Sequence, residues 1–192
     1  CWGWNLYGQL GDGTTVDRST PVDVSGLGSG VAAIYPGAIH TCTLTTTGAV
    51  KCWGSNNSGQ LGDGSIMNRS TPGAVSGLTN GMTAVAVGSG HTCALTNTGG
   101  VKCWGWNYYG QLGDGSTTTR YRPVDVSGLA SGIKAVASGY NFSCALTDSG
   151  GVKCWGSNQS GQLGDGSTTT RTTPVDVSGL SIGVVMISAG TD

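Results

Sequence analysis

Glutamate is absent from this sequence of 192 residues, and the charged residue types together make up only 10% of it. The charged helix formers that build the solvated face of an amphipathic helix are therefore scarce, which excludes an all-α protein. The formal net charge of −1 excludes a strongly basic surface, so we expect no nucleic-acid partner. No run approaches the roughly 18 apolar residues of a membrane-spanning helix, so we expect no membrane insertion.

Glycine is abundant by contrast, at 36 of 192 positions, about 19% against an average near 7%. Apolar residues, including six tryptophans, are nevertheless spread along the whole length. This distribution argues against disorder, which is typical of chains that cannot bury enough apolar surface.

The sequence repeats every 51 residues without an insertion. Cys-Trp-Gly begins at residues 1, 52, 103 and 154, and Gly-Gln-Leu-Gly-Asp-Gly begins at residues 8, 59, 110 and 161. About 3.8 repeats result, and we predict one segment over 1–192 without a linker or second domain. Because the chain begins and ends inside the repeat, we expect it to be cut from a longer protein, or to be built so that two copies meet.

Each repeat has four segments with strand character, separated by glycine-rich turns. In one repeat they are 82–87, 92–96, 101–104 and 122–126, the last with its proline at the start. Four short strands cannot bury their faces alone and must stack on their neighbours. Radial stacking predicts an all-β fold, a β-propeller of four-stranded blades, with complete blades over about 31–75, 82–126 and 133–177. A flat β-solenoid is the alternative.

The strings Gly-His-Thr-Cys-Ala-Leu, Gly-Gly-Val-Lys-Cys-Trp-Gly and Asn-x-x-Gly-Gln-Leu-Gly-Asp-Gly closely resemble the repeats of the regulator of chromosome condensation family, particularly its bacterial members. The resemblance implies a propeller, commonly of seven blades. It also implies roles that range from nucleotide exchange on a small GTPase to light sensing, β-lactamase inhibition and ubiquitin-ligase scaffolding, among which the fold does not choose. Gly90 stands where the photoreceptor members carry Trp, and no copy contains the insertion of a GTPase-engaging wedge, so we expect neither of those activities.

Six of the seven cysteines form pairs with nine residues between them: Cys42 and Cys52, Cys93 and Cys103, Cys144 and Cys154. If Leu44 faces Val50 across a hairpin, then Cys42 faces Cys52 at a Cα distance of roughly 4.5–5.5 Å, within disulfide range. We predict three disulfides and therefore a secreted or cell-surface protein, of bacterial origin, although the chain shows no signal peptide. Buried thiols or a metal site are the alternatives, and Cys1 is expected to be free or joined to another chain.

Groups suited to catalysis are few. His40 and His91 share one repeat slot, for which the third copy is expected to supply Asn141, and a repeated residue is more often structural than catalytic. Asp12, Asp63, Asp114 and Asp165 each precede Gly in the same turn, and an Arg follows each of them six residues later. We expect these Asp to form the turn and the Arg to pair with them or with a neighbouring blade. One Asp per repeat is too few for calcium, so we predict no metal, no cofactor and no enzyme activity.

One loop departs from the 51-residue rule. After Cys-Trp-Gly the copies read Trp-Asn-Leu-Tyr, Ser-Asn-Asn-Ser, Trp-Asn-Tyr-Tyr and Ser-Asn-Gln-Ser, so aromatic and small polar versions alternate. The loop is the longest of the repeat, and Trp and Tyr dominate binding hot spots. We predict a non-catalytic scaffold that binds a protein, or a glycan, through Trp4, Tyr7, Trp106, Tyr108 and Tyr109. The alternative is that these rings cover the apolar rim of an adjacent blade.

Other interpretations stay open. The chain is alternatively a secreted enzyme-inhibitor module or a structural repeat of an extracellular assembly. The alternation of the loops also suits an even number of blades, so a homo-oligomer in which two copies close an eight-bladed ring is one expectation.

Trp2, Trp53, Trp104 and Trp155 recur in every copy, and we expect them to pack between blades.

Overall fold

The computed structural model describes residues 1–190, and these residues form three four-stranded antiparallel sheets without any helix. Each sheet is a meander in chain order. Blade 1 contains β1 (Val31–Pro36), β2 (His40–Thr45), β3 (Val50–Gly54) and β4 (Arg69–Ala74). Blade 2 contains β5 (Met82–Val87), β6 (His91–Thr96), β7 (Val101–Gly105) and β8 (Arg120–Asp125). Blade 3 contains β9 (Ile133–Ser138), β10 (Phe142–Thr147), β11 (Val152–Gly156) and β12 (Arg171–Asp176).

The three sheets stack around an axis. The first strands of successive blades, β1, β5 and β9, contact one another, which makes them the inner strands, and β4, β8 and β12 are the outer edges. The predicted all-β propeller architecture is confirmed, and the sheets do not close into a ring. No helix with the length and apolar character needed to cross a membrane occurs over 1–190.

The outer strand begins earlier than the sequence suggested. β8 starts at Arg120, not at Arg122, so Pro123 lies inside the strand instead of at its start. The outer strand pairs with β7 alone. A proline is tolerated there because half of the N–H groups of an edge strand have no ladder partner.

The ends of the chain resemble parts of blades. Gly3 and Arg18 form an isolated antiparallel bridge, as the two outer strands of a blade would. Val184, Ile187 and Ala189 pack against the core of blade 3 without joining a ladder. They follow the path expected of an inner strand.

The paired cysteines are bonded. Leu44 lies opposite Val50 and Cys42 opposite Cys52, and the other two hairpins have the same register. Each pair has a Cα–Cα distance of 4.1 Å, so the predicted disulfides are confirmed. Each bond closes a loop of a size that stabilises the fold by about 3 kcal/mol through the unfolded state. Cys1 is free.

A tryptophan joins each blade to the preceding repeat. Trp104 is fully buried, packs with the Cys42–Cys52 disulfide of blade 1, and donates its indole N–H to the backbone oxygen of Gln60 at 2.9 Å. Trp53 and Trp155 make the same bond. Trp2 is different: it is 65% exposed, so the expectation that it packs between blades is not met among residues 1–190.

Two histidines also bridge neighbouring blades. Nε2 of His40 lies 2.9 Å from the Thr92 hydroxyl, which itself donates to the backbone oxygen of Gln60 at 3.0 Å. The hydroxyl must therefore accept from His40, which places the ring proton on Nε2 and leaves Nδ1 as an unpaired acceptor. His91 is bound to Ser143 in the same way. Both rings are structural.

The histidine slot of blade 3 holds Phe142, so the expectation of Asn141 there is wrong. Phe142 pairs with Gly156 as His91 pairs with Gly105. Asn141 precedes the strand by one residue. The slot accepts phenylalanine because it is buried, and an apolar ring fills it without a hydrogen bond.

Burial makes the two histidines hard to protonate. It lowers the pKa of His40 to about 3, with a smaller contribution from repulsion by His91. It lowers the pKa of His91 to about 4. A proton on either ring would place a charge in a site without a counterion.

We therefore expect the free energy of unfolding to fall as the pH drops from about 7.5 to about 5. Below the unfolded-state pKa near 6.5 the unfolded chain binds protons that the folded chain excludes, so this stability is fully present above that pKa and is lost as the pH falls below it. By about pH 5, each histidine should have lowered the free energy of unfolding by on the order of 2 kcal/mol. Urea unfolding at both pH values measures the loss. His91→Phe copies the residue of blade 3 and should remove about half of the pH dependence; an unchanged dependence contradicts this assignment.

A glycine in the turn before the second strand of each blade allows the inner strands to approach. A Cβ on Gly88 would overlap the His91 ring and lie 2.8 Å from the carbonyl oxygen of Gly139 in the next blade. A Cβ on Gly139 would lie 2.7 Å from the oxygen of Gly190. The contact between blades therefore requires glycine at this position.

Gly88→Ala should destabilise the chain by about 1–3 kcal/mol, because the added methyl group overpacks a closed contact. Thermal unfolding followed by circular dichroism measures the change. Gly28→Ala is the matched control, since a Cβ there meets no atom within 4 Å and the substitution should leave the melting temperature unchanged or slightly raised. Equal melting temperatures for the two variants would show that Gly88 is not a packing constraint.

Candidate partner-binding site

The long loop after the third strand of each repeat is held by a buried asparagine. We name these loops L0 (4–17), L1 (55–68), L2 (106–119) and L3 (157–170). In L2 the side-chain nitrogen of Asn107 donates to the backbone oxygens of Ser116 and Thr118, both at 3.1 Å, and its oxygen accepts from the N–H of Leu112 at 2.9 Å. Asn5, Asn56 and Asn158 occupy the same position. The backbone that carries the aromatic rings is thus fixed.

This asparagine was not singled out from the sequence, although a signal exists. It is the only one of the four residues after Cys-Trp-Gly that is identical in all copies. A short polar residue that stays constant while its neighbours change indicates a hydrogen-bonding role within the loop.

In each loop the Asp of the Asp-Gly turn pairs with the Arg that directly follows the loop. Asp114 and Arg120 form an ion pair at 2.8 Å, and the corresponding Asp and Arg residues pair in L0, L1 and L3. The pKa of Asp165 is lowered to about 2, chiefly by the hydrogen bond from the Ser167 hydroxyl and then by the one from Arg171, against an opposing effect of burial. Of the two arrangements expected for these Arg, pairing with the Asp of the same turn is the one observed.

The five predicted aromatic residues form two clusters. In L0, Trp4 is 49% exposed and its ring lies edge-on to Tyr7, with centroids 5.4 Å apart. In L2, Trp106 stacks on Tyr108 at 6.3 Å, and Tyr109 is edge-on to both rings at 5.7 and 5.0 Å. Tyr108 is the most exposed of them, at 67%, whereas Trp106 and Tyr109 are half-buried.

Trp106 contacts a turn of its own blade. The backbone N–H of Trp106 donates to the backbone oxygen of Gly90 at 2.8 Å, and a Cβ on Gly90 would lie 3.4 Å from the Trp106 Cβ. In blade 1 the two positions are held by Ser55 and Ile39, whose backbones make the same bond. The large ring of L2 therefore faces glycine, and the small serine of L1 faces a larger residue.

Trp106 leaves a buried amide without a partner. In L1 the side-chain nitrogen of Gln60 donates to the Ser55 hydroxyl at 3.3 Å. In L2 tryptophan replaces that serine, and the nitrogen of the fully buried Gln111 has no hydrogen-bond partner among residues 1–190. An unpaired buried donor costs about 1–3 kcal/mol. Hydrogen bonding within the loop thus favours serine over tryptophan at position 106.

Comparison with known families assigns the repeat. Models of the regulator of chromosome condensation (RCC1) repeat match residues 1–44, 47–95, 98–146 and 149–192, and a second RCC1 repeat model matches 31–60, 82–111 and 133–162. The chain belongs to the RCC1 repeat family. The resemblance seen in the sequence is therefore confirmed.

Two relatives illustrate the range of RCC1 repeat proteins. The chain is 33% identical over 184 residues to the ultraviolet-B receptor UVR8 of Arabidopsis thaliana, covering 94% of this chain and 42% of the receptor. It is 38% identical over 184 residues to the probable E3 ubiquitin-protein ligase HERC4 of Homo sapiens, covering 93% of this chain and 17% of the ligase. The chain thus spans less than half the length of either relative. Both are eukaryotic, so a bacterial source stays a prediction.

Two solved structures have the same fold. Human WBSCR16 superposes with a TM-score of 0.87 at 24% identity, covering 100% of this chain and 50% of that protein. Yeast RCC1 (Prp20), solved bound to Kap60, superposes with a TM-score of 0.79 at 22% identity, covering 92% of this chain and 43% of that one. At these identities the likeness establishes the propeller fold.

Trp106→Ser should leave the melting temperature unchanged or raise it, since the new hydroxyl would pair with the Gln111 amide as Ser55 pairs with Gln60. Trp104→Ser, on the buried indole of the same blade, is the control and should destabilise by about 3–5 kcal/mol. Thermal unfolding of both variants makes the comparison. If Trp106→Ser lowers the melting temperature as much as Trp104→Ser does, the Trp106 ring stabilises the fold by packing.

Proposed function

We propose that this chain is a non-catalytic scaffold that binds a protein partner through the aromatic loops L0 and L2. One observation carries the proposal: hydrogen-bonded loops hold Trp and Tyr rings, of which Trp4 and Tyr108 are exposed, and serine in place of Trp106 would satisfy a buried amide. Rigid aromatic side chains bury a large area at a low entropic cost, and they are enriched among residues that dominate binding energy. The contact residues are Trp4, Tyr7, Trp106, Tyr108 and Tyr109.

The absence of a catalytic role is part of the proposal. The buried histidines are neutral bridges between blades, and the loop carboxylates of Asp12, Asp63, Asp114 and Asp165 are paired with arginines. Within residues 1–190 no group of three or more His, Cys, Asp or Glu lies close enough to hold a metal ion. Each of these ionisable groups has a structural role, either as a hydrogen-bonded bridge between blades or as part of an ion pair.

Relatives support a protein as the partner. One yeast RCC1 structure was solved bound to Kap60, and another is described together with its binding to Gsp1p and histones. We carry over only the coarse property that these propellers bind other proteins. The low identity and partial coverage do not transfer the partners themselves.

We also propose that the chain acts outside the cytosol, as a secreted or cell-surface protein. Three buried disulfides support this location, because such bonds persist in oxidising compartments. Alkylation of the denatured chain taken directly from its host should leave Cys42, Cys52, Cys93, Cys103, Cys144 and Cys154 unlabelled. Labelling of the six paired cysteines would contradict the proposed location.

The loops themselves supply the variant that tests binding. Trp106→Ser, Tyr108→Asn and Tyr109→Ser together give L2 the residues of L1; we call this triple variant the loop swap. It should fold and lose affinity for the partner by about 30-fold or more, the effect of removing a hot spot. Partners retrieved by wild-type bait and not by the loop swap are identified by mass spectrometry, and their Kd is measured by calorimetry.

Asn57→Ala in L1 is the matched control, because it changes an exposed loop residue without touching an aromatic ring. It should retain wild-type affinity. A partner that binds the loop swap as tightly as wild type would show that L2 is not the contact surface. A glycan array probed with both proteins reports whether the same rings bind sugar instead, and sedimentation of the wild-type chain reports whether two copies associate.

A further inference from the structure

A socket on the face of blade 1 receives a tryptophan of blade 2. The Trp104 ring is fully buried there, and its indole N–H donates to the backbone oxygen of Gln60 at 2.9 Å. A glycine forms the floor of the socket, since a Cβ on Gly62 would lie 2.6 Å from the indole nitrogen. The apolar wall is a disulfide, two leucines and a valine: Cys42–Cys52, Leu61, Leu78 and Val75. Blade 2 receives Trp155 of blade 3 in the same way.

Blade 3 carries the same socket on the face that points away from blade 2. A cavity of about 280 Å³ lies there, and the corresponding residues are among those that line it: Cys144–Cys154, Leu163, Gly164, Val177 and Leu180. A Cβ on Gly164 would lie 2.9 Å from a methyl carbon of Val177, and one on Gly62 would lie 2.9 Å from a methyl carbon of Val75. The floor and wall of this socket thus have the arrangement that holds Trp104 in blade 1.

The blade 3 socket is more open than its equivalents. Leu180 is 42% exposed, whereas Leu78 and Leu129 at the same position are each 3% exposed. No hydrogen bond within residues 1–190 reaches the backbone oxygen of Gln162, which is the equivalent of Gln60. Tryptophan is the side chain that combines a large apolar ring with an N–H that only donates. The chemistry of this socket therefore matches an indole.

Trp2 has the repeat position of the three buried indoles. Gly3 pairs with Arg18, and Cys1 and Val22 exchange two main-chain hydrogen bonds at 2.7 and 2.8 Å, so the ladder that carries the ring is already formed. The Trp2 ring is 65% exposed, and its indole N–H donates to no acceptor among residues 1–190. Trp2 is thus the counterpart of the socket in shape, polarity and backbone setting.

The two surfaces cannot meet within one chain. Loop L0, which follows Trp2, holds the Trp53 indole of blade 1, whereas the socket lies on blade 3. Blade 2 separates blades 1 and 3, and the sheets do not close into a ring. An indole from another molecule must therefore enter the socket.

The inner strands favour a second copy as that molecule. A cavity of about 410 Å³ beside Trp2 is lined by Ile34, Pro36 and Ala38 of blade 1. Within the chain the first strands of successive blades contact one another, and segment 184–189 follows the path of such a strand with Val185 and Met186 exposed. Neither 31–38 nor 184–190 contains a charged residue. The orientation that brings Trp2 of one copy to the socket of another also brings these two apolar segments together.

We infer that Trp2 of a second copy of this chain inserts into the blade 3 socket and donates its indole N–H to the backbone oxygen of Gln162. The contact joins two different surfaces, so it repeats from copy to copy or closes on itself. This inference goes beyond the proposed function, because neither Trp2 nor the socket belongs to the proposed contact residues of L0 and L2.

Sedimentation of the wild-type chain over about a hundred-fold range of concentration tests the inference. The mass should rise with concentration from the 19.2 kDa of one chain to that of two copies or more. Trp2→Ala should weaken this association about 10-fold or more, since a central aromatic ring is lost. Leu180→Asp should do the same by placing a charge in the apolar wall. Met67→Ala is the matched control, because it shortens an exposed apolar side chain of L1 outside both surfaces, and it should associate like wild type.

A mixture of the two variants distinguishes insertion from general apolar association. The Trp2→Ala chain retains the socket, and the Leu180→Asp chain retains Trp2. An equimolar mixture should therefore associate about five-fold or more tightly than either variant alone, through the one intact contact. Melting temperatures of the separate variants check that each chain is folded.

The remaining outcomes separate this inference from the proposed function. A wild-type chain that stays monomeric at every concentration would overturn the inference, as would association that Trp2→Ala leaves unchanged or a mixture that gains nothing. None of these results bears on the partner retrieved through L2. The loop swap keeps both surfaces and should associate like wild type, so a loop swap that loses self-association would also overturn the inference.

Discussion

The bond between a tryptophan indole and the preceding loop is the interaction on which the rest of the structure depends. The backbone oxygen of Gln60 accepts from the indole of Trp104 and from the hydroxyl of Thr92, both in the next blade. The same contact buries Trp104 against the Cys42–Cys52 disulfide. One carbonyl thus fixes the stacking of two blades and the position of loop L1 together. Blades that are individually too small to fold gain their stability from such contacts between neighbours.

A second consequence concerns where the chain can vary. Inside each long loop the asparagine, the Asp–Arg pair and the glutamine satisfy the backbone, so the loop keeps its shape without help from its exposed residues. Trp106 and Tyr108 therefore replace Ser55 and Asn57 without a change of fold. The unpaired amide of Gln111 marks the one place where this replacement disturbs the internal hydrogen bonding. The fold thus separates stability, which comes from contacts between blades, from the exposed loop positions, which can change without altering the loop backbone.

The internal charges show the same separation. The four carboxylates of the Asp-Gly turns are paired with arginines, and the two histidines are neutral and buried. Residues 106–113 of L2 contain no charged side chain. The contact proposed for this loop would therefore depend on shape, apolar contact and hydrogen bonds more than on long-range attraction between charges.

The sequence by itself determined the repeat, the four strands of each blade, the propeller architecture and the three disulfides. These properties follow from local rules: a period of 51 residues, alternation along strands, and a hairpin register that places Cys42 opposite Cys52. The phenylalanine of the histidine slot follows from the period itself, since residue 142 comes 51 residues after His91. Only the tertiary structure decided that the side-chain nitrogen of Gln111 has no hydrogen-bond partner among residues 1–190, and that Gly88 lies too close to Gly139 of the next blade for a side chain. These features arise where different blades or separate turns meet, and the local rules that predict strands and turns do not describe such contacts.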